Sequence, residues 1–196
     1  RAVPVSHRRP DRSPHHSATP AAILGGGSGV PVPGELTLAD RGVLFLDELA
    51  EFPQHLLDML RQPVEEGKVH VARKGMSVVF PCRAQVVAAT NPCPCGYLGD
   101  ARAACRCNPT AVERYRSRLS GPLLDRFDLR VAIGRLDGNE LLASGGESSA
   151  AVRERVVLAR AAQRRRGCVN RELERDRLDA MEWDTEAGSL LAAAVD

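Results

Sequence analysis

A short apolar run that ends in two acidic residues constrains the fold of this chain most. The run occupies residues 42–46, reads Gly-Val-Leu-Phe-Leu, and is followed directly by Asp47 and Glu48. Such a run is typical of a strand buried on both faces of a parallel sheet. Because α/β proteins bind ligands beyond the carboxyl ends of their strands, the two carboxylates are predicted to lie at a functional edge.

A helix is predicted directly after this strand. Pro53 is suited to the first helical turn, and Pro63 and Gly67 are predicted to interrupt the helical pattern. The apolar positions recur at helical spacing, at Leu49, Phe52, Leu56 and Leu60. A strand followed by a helix indicates an α/β fold with a parallel sheet flanked by helices.

Four more β strands are expected around this unit. Residues 68–80 place two β-rich runs on either side of Arg73-Lys74-Gly75, which predicts a hairpin with cations at its tip. Residues 84–90 form a second buried-strand run that ends at Asn91. Residues 129–133 are predicted to form one more strand.

The remaining segments are predicted as loops and helices. Residues 1–20 lack an apolar period and are predicted to be a loop, or a segment that is ordered only by a missing neighbour. The GGGSG run at 25–29 is predicted to be a flexible loop, since no Lys-Ser or Lys-Thr follows to hold phosphates. Asn108 is suited to cap a helix that starts at Pro109 and extends to about Leu119.

The chain is predicted to divide into two domains. Residues 1–137 would form the α/β core, and residues 138–196 a small helical segment, because the composition shifts to Ala, Glu and Arg after Gly138. Residues 144–149 resemble a linker, and the following helix is predicted to end at Gly167 with one apolar face.

The composition excludes several classes of protein. Of 196 residues, 43% are hydrophobic and 27% are charged, which is the ordinary range for globular proteins. The formal net charge of +2 is too small to indicate a nucleic-acid binder by itself. No segment has the apolar length of a membrane span, and we expect a cytoplasmic protein.

Four polar side chains suggest nucleotide hydrolysis. Asp47 would hold Mg²⁺ on the phosphates, and Glu48 would polarise a water for in-line attack. Asn91 would lie beside Glu48 at the end of the neighbouring strand and orient that water. Arg126, placed between apolar residues, would face a neighbouring subunit's γ-phosphate. The alternatives are an acidic helix cap for the carboxylates and a surface salt bridge for the arginine.

Cysteines and histidines form two further candidate clusters. Two C-x-C pairs, separated by nine residues, provide four thiolates for one tetrahedral Zn²⁺ ion, or four free thiols; they are Cys93, Cys95, Cys105 and Cys107. His15 and His16 are interpreted as solvated, with contact to nucleotide or metal as the alternative.

Several consecutive motifs resemble those of the ComM-like, magnesium-chelatase-like AAA+ ATPases. They are PHHSAT, PGELTLADRGVLFLDEL, GKVHVARKG, AATNPCPCGY and RLSGPLLDRFDL, which extend over about residues 8–135. Magnesium-chelatase ATPase subunits and MCM helicases are more distantly similar.

The resemblance implies a role for each matched residue. Asp47 and Glu48 correspond to the Walker B pair, Asn91 to sensor 1 and Arg126 to the arginine finger. The hairpin bearing Arg73 and Lys74 corresponds to the pre-sensor hairpin that faces the channel in ring-shaped relatives. The implied cofactors are ATP and Mg²⁺, and the implied assembly is a hexameric homo-oligomer that binds DNA.

The same resemblance leads us to expect segments that these 196 residues do not contain. They are a GxxxxGK[ST] loop with a preceding domain, and a lid helix with a sensor 2 arginine. We therefore interpret the chain as a fragment or truncated product that is inactive alone. Three functions stay open: a DNA branch-migration motor, a chelatase-type motor for metal insertion into a porphyrin, and a non-catalytic remnant that binds partner subunits.

Overall fold

The computed structural model describes residues 8–135, 138, 145–179 and 185–195. The chain divides into two compact units, residues 1–135 and residues 136–196. The first unit contains every strand and every buried side chain of the described residues.

A three-stranded parallel sheet lies at the centre of the first unit. Its strands are β1 (Asp11–Arg12), β4 (Val43–Leu46) and β7 (Gln85–Ala88), in the order β1-β4-β7. Asp11 is opposite Val43 on one side of β4, and Gln85 is opposite Val43 on the other. The α/β class with a parallel sheet is therefore confirmed. The prediction of a loop over residues 1–20 missed β1, because a two-residue polar strand has no periodicity to detect.

The central strand is buried on one face more than on the other. Leu44 is fully buried and Leu46 nearly so, whereas Val43 and Phe45 are half-buried. Strand β7 alternates between exposed and half-buried residues, and Val87 is 39% exposed. The prediction that both strands are buried on both faces is therefore wrong. A short sheet with β7 at its edge leaves part of each strand open to solvent.

Helix α3 (Gln54–Glu66) covers the buried face of the sheet. The residues predicted to form its apolar face are buried in one core with the sheet: Leu49, Phe52, Leu56 and Leu60. Pro63 lies inside the helix rather than ending it. Its ring is buried near the last turn, where the missing N–H removes one hydrogen bond only. Gly67 ends the helix in the left-handed conformation, at φ 67°, with its N–H bonded to Pro63 O.

The glycine run forms a hairpin instead of a flexible loop. Strand β2 (Gly25–Gly26) follows helix α1 (Pro20–Leu24) and pairs antiparallel with β3 (Val32–Pro33), and helix α2 (Glu35–Leu38) comes next. A Cβ on Gly25 would lie 2.7 Å from Val32 O, and a Cβ on Gly34 would lie 2.4 Å from Ile23 O. These glycines allow two backbone segments to approach closely. A glycine-rich sequence has the same appearance whether its glycines serve flexibility or close packing, so the sequence alone did not predict the hairpin.

The predicted cationic hairpin is confirmed. Strands β5 (Lys68–Arg73) and β6 (Met76–Pro81) pair antiparallel, with Arg73 opposite Met76. The two turn residues, Lys74 and Gly75, have φ values of 44° and 80°. Positive φ at both positions is the requirement of a type I′ turn, which matches the twist of the two strands.

The segment after the sheet is helical. Helix α4 (Pro109–Arg116) begins as predicted, since Asn108 Oδ1 accepts a hydrogen bond from Ala111 N at 2.7 Å. Helix α5 (Gly121–Leu124) follows. Residues 129–133 do not form the predicted strand, and their apolar side chains Leu129, Val131 and Ile133 are 86%, 79% and 90% exposed. No described strand lies alongside these residues. A high strand propensity does not form a strand unless a neighbouring strand provides hydrogen-bond partners.

The second unit is helical in its described part, with helices α6 (Ser149–Arg166), α7 (Arg175–Asp179) and α8 (Thr185–Val195). Helix α6 ends at Gly167 as predicted, at φ 85°. Its predicted apolar face is exposed, since no residue of α6 is buried. None of the helices in the described ranges is long and apolar enough to span a membrane.

Candidate functional site

The predicted acid pair lies at the carboxyl end of the central strand. Asp47 Oδ1 accepts a hydrogen bond from the Glu48 N–H at 2.9 Å, which leaves its second carboxylate oxygen available. Glu48 has φ 52° and ψ 47°, a left-handed conformation that is uncommon for a residue with a side chain. Backbone strain of this kind is concentrated at functional sites.

The chain beyond Glu48 is held to the neighbouring strand. Leu49 N donates to Ala89 O at 2.8 Å, and Ala89 N donates to Leu46 O at 3.0 Å. A short 3-10 helix, Leu49–Glu51, begins there. These bonds fix the direction in which the Glu48 side chain leaves the sheet.

A histidine contacts the predicted catalytic carboxylate. His16 Nδ1 lies 2.9 Å from Glu48 Oε2, and the side chains are 31% and 52% exposed. The imidazole also meets the buried Phe52 ring edge-on, with centroids 6.4 Å apart, and lies against His15 at 4.0 Å. The interpretation of His16 as merely solvated is therefore wrong. Strand β1 pairs parallel with β4, so the residues that follow β1 reach the same edge as Glu48.

An ion pair anchors the short strand that leads to His16. Arg12 donates from Nε and Nη2 to the two carboxylate oxygens of Glu35 on α2, at 2.5 and 2.6 Å. The bond from Arg12 lowers the pKa of Glu35, although burial opposes the shift. Val43 N also donates to Pro10 O at 2.9 Å. Arg12 carries no sequence signal that separates it from an ordinary loop residue, whereas His16 belongs to the histidine pair of the PHHSAT motif.

Asn91 lies beyond the end of β7, on the same edge of the sheet as Asp47 and Glu48. Its side chain is exposed and makes no hydrogen bond to Glu48. A cavity beside it is lined by the loop that follows and by residues 133–135. The structure thus brings two carboxylates, one imidazole and one amide to one sheet edge, and their catalytic roles stay predictions.

Arg126 is engaged within the chain. Its Nη2 and Nε lie 2.5 and 3.0 Å from Glu65 Oε2 on α3. Leu123 is buried on one side of the arginine, and Phe127 packs against the core on the other. An exposed pair of this kind contributes about 0–1 kcal/mol, so Glu65 holds the guanidinium only weakly. The arginine-finger role of Arg126 stays a prediction.

The two hairpin cations differ in their surroundings. Arg73 Nη1 donates to Ala72 O at 3.0 Å, so its guanidinium bends back along the hairpin. Lys74 occupies the turn itself and is exposed, with no ion pair to any described residue. The Lys74 ammonium is therefore available to an anionic partner.

The four clustered cysteines converge. Their sulfur atoms all lie within 4.8 Å of one another. The backbone N–H groups of Tyr97 and Arg106 lower the pKa of the Cys95 thiol to about 6. Cys82 lies elsewhere, in the core, where burial raises the pKa of its thiol to about 11. The four sulfurs have the chemistry and the spacing of metal ligands, which Cys82 lacks.

Comparison with known proteins places the chain in a family. The family model for magnesium chelatase, subunit ChlI, matches residues 2–141. The YifB protein of Salmonella typhimurium is 49% identical over 165 residues, which cover 81% of this chain and 31% of that protein. Competence protein ComM of Haemophilus influenzae is 48% identical over 178 residues, which cover 86% of this chain and 34% of that protein.

A more distant similarity links the chain to helicases. A probable DNA helicase MCM9 of Oryza sativa is 29% identical over 115 residues, which cover 59% of this chain and 15% of that protein. The chain spans about a third of the length of the YifB and ComM relatives. Since the family model matches more than half of the chain, this protein belongs to the magnesium chelatase ChlI family, as a homologue of the ComM and YifB AAA+ ATPases.

Proposed function

We propose that this chain carries the hydrolytic half of an ATP-driven motor subunit that works on DNA in a homo-oligomeric ring, supporting branch migration during recombination. The observation that carries the proposal is the sheet edge that bears Asp47 and Glu48, where His16 contacts Glu48 and Asn91 follows the neighbouring strand. Membership of the ComM and YifB family supports ATP as the nucleotide.

The residues at this edge fit a magnesium nucleotide. The free oxygen of Asp47 is a ligand of the kind that Mg²⁺ prefers, directly or through a water. When bound, Mg²⁺ neutralises charge on the phosphates during transfer. Asp47 would therefore hold the ion, and the remaining residues would act on the attacking water.

Glu48 would polarise that water by accepting its proton. The left-handed backbone and the Leu49 bond to Ala89 fix the backbone from which the Glu48 side chain extends. His16 would act as a positioning residue, because its contact with Oε2 restricts the rotation of the Glu48 side chain. Asn91 would orient the water from the neighbouring strand.

Replacement of His16 tests the positioning role. The vehicle is a ComM chimera, in which this chain replaces the matched region of the Haemophilus influenzae protein. His16→Ala should lower kcat about 10-fold, which corresponds to about 1.4 kcal/mol of transition-state stabilisation, with little change in KM for ATP. Steady-state ATPase assays measure both constants.

His15→Ala is the matched control, because His15 bonds Ser17 Oγ at 2.8 Å and contacts no carboxylate of the described residues. It should retain the kcat of the unsubstituted chimera. His16→Asn keeps a donor at the same distance from the backbone and should recover part of the loss. Equal kcat for His16→Ala and His15→Ala would contradict the positioning role.

Substitutions at the hairpin tip test whether the protein acts on DNA. Lys74→Gln together with Arg73→Gln in the chimera should weaken DNA binding, and should lower the slope of log affinity against log salt by about one unit for each lost phosphate contact. Lys68→Gln is the matched control, because Lys68 is also exposed but lies at the base of the same hairpin. Titration of a labelled duplex across a salt series measures the slopes.

The same experiment distinguishes a motor that acts on DNA from a chelatase-type motor that inserts metal into a porphyrin. A chelatase-type motor is favoured by the name of the matching family, magnesium chelatase. If the double variant retains both the affinity and the slope of the control, with ATPase activity intact, the hairpin does not contact DNA. That result would favour the chelatase-type function.

A further inference from the structure

The sulfur positions of the cysteine cluster match the geometry of a bound ion. Cys93 Sγ lies 3.5 Å from Cys95 Sγ and 3.7 Å from Cys105 Sγ, and the Cys95 and Cys105 sulfurs are 3.6 Å apart. In a tetrahedral site with Zn–S bonds of about 2.3 Å, neighbouring sulfurs lie about 3.8 Å apart. A disulfide would require about 2.05 Å, so none of these pairs is bonded.

The fourth sulfur, of Cys107, lies within 4.8 Å of the other three, so all four sulfurs are close enough to surround one ion. Cysteine binds a metal as the thiolate, so the four side chains would bind without their protons.

The loop has little else to hold it. Between the end of β7 at Ala88 and the start of α4 at Pro109 the chain contains no helix or strand, and Cys93 is the only buried residue of 92–107. A segment this poor in buried apolar surface gains too little from packing to offset the entropy of ordering it. A metal crosslink supplies that free energy in small domains.

We propose that Cys93, Cys95, Cys105 and Cys107 bind one Zn²⁺ ion as a tetrahedral tetrathiolate. Four thiols lose their protons to solvent on binding, so the ion and its ligands carry a net charge of −2. Arg102 and Arg106 lie in the same loop and place positive charge near the site in sequence. The ion would tie the loop into a rigid unit two residues beyond Asn91, and it would bind whether or not the chain acts on DNA.

The test uses the chain purified without added metal or chelator. Elemental analysis should find one zinc per chain, and X-ray absorption should show four sulfurs at about 2.3 Å. Cys107→Ser should lose zinc affinity by more than the roughly 10–100-fold that changes outside the ligand shell typically produce. Cys168→Ser, which lies in the second unit, should retain the full zinc content.

A second variant keeps the test decisive if Cys107→Ser fails to fold. Cys107→His offers a nitrogen ligand that zinc accepts in Cys₃His sites, so it should retain one zinc per chain. Three results would overturn the proposal: a chain free of metal with six titratable thiols after denaturation, a mass lower by about 4 Da from two disulfides, or iron in place of zinc.

Discussion

Glu48→Gln in the ComM chimera is expected to lower kcat for ATP hydrolysis at least about 100-fold, while ATP affinity changes by no more than about a factor of two. The amide has the shape of the carboxylate but cannot accept a proton from water at neutral pH. Because Glu48 lies beyond the strand rather than in the core, the substitution leaves the buried packing unchanged. Phosphate-release assays measure kcat, and a fluorescent nucleotide measures affinity.

Glu51→Gln is the matched control for this prediction. Glu51 lies in the same 3-10 helix and pairs with Arg118 at 3.2 Å, so the substitution removes one exposed charge without touching the edge of the sheet. It should retain the full kcat. If the unsubstituted chimera assembles but hydrolyses no ATP, the chain is a non-catalytic partner of other subunits. If Glu48→Gln hydrolyses ATP at the control rate, another group activates the water.

Gly42→Ala should produce the largest loss of stability among single-methyl additions. A Cβ at this position would lie 1.9 Å from Pro10 O, well inside contact distance, and Pro10 O is the acceptor of the Val43 N–H. The strands β1 and β4 must separate to make room. We expect a loss of about 3 kcal/mol and a Tm lower by roughly 10 °C for a chain of this size.

Gly29→Ala provides the control, because nothing lies within 4 Å of its added Cβ. Its Tm should change little, since surface substitutions are usually within about 0.5 kcal/mol. Thermal melts of the two variants followed by circular dichroism give the comparison. Equal Tm values would mean that β1 does not pair with β4 in solution.

The predictions for Glu48→Gln and Gly42→Ala are connected through His16. Separation of β1 from β4 would also move the residues that follow β1, and the contact between His16 and Glu48 depends on that pairing. In the ComM chimera, Gly42→Ala should therefore reduce kcat even at temperatures where the protein is folded. Stability and hydrolysis are linked through a strand of only two residues.

The sequence alone determined the elements whose signals are local. The apolar run at residues 43–46, the spacing of Leu56 and Leu60, and the turn at Lys74-Gly75 each act through neighbours within a few residues. The Asn108 cap has the same origin, because its side chain bonds the backbone three residues away. Such signals predict a strand, a helix or a turn without knowledge of what packs against it.

Tertiary structure decided which of these residues meet. Strand β1 forms because Asp11 and Arg12 pair with β4 and the Arg12 side chain bonds Glu35. Residues 129–133 form no strand, because no described strand lies beside them. The contact of His16 with Glu48 joins residues 32 positions apart. Pairing of this kind depends on backbone groups and charges supplied by distant segments, and no local periodicity encodes which distant segment will supply them.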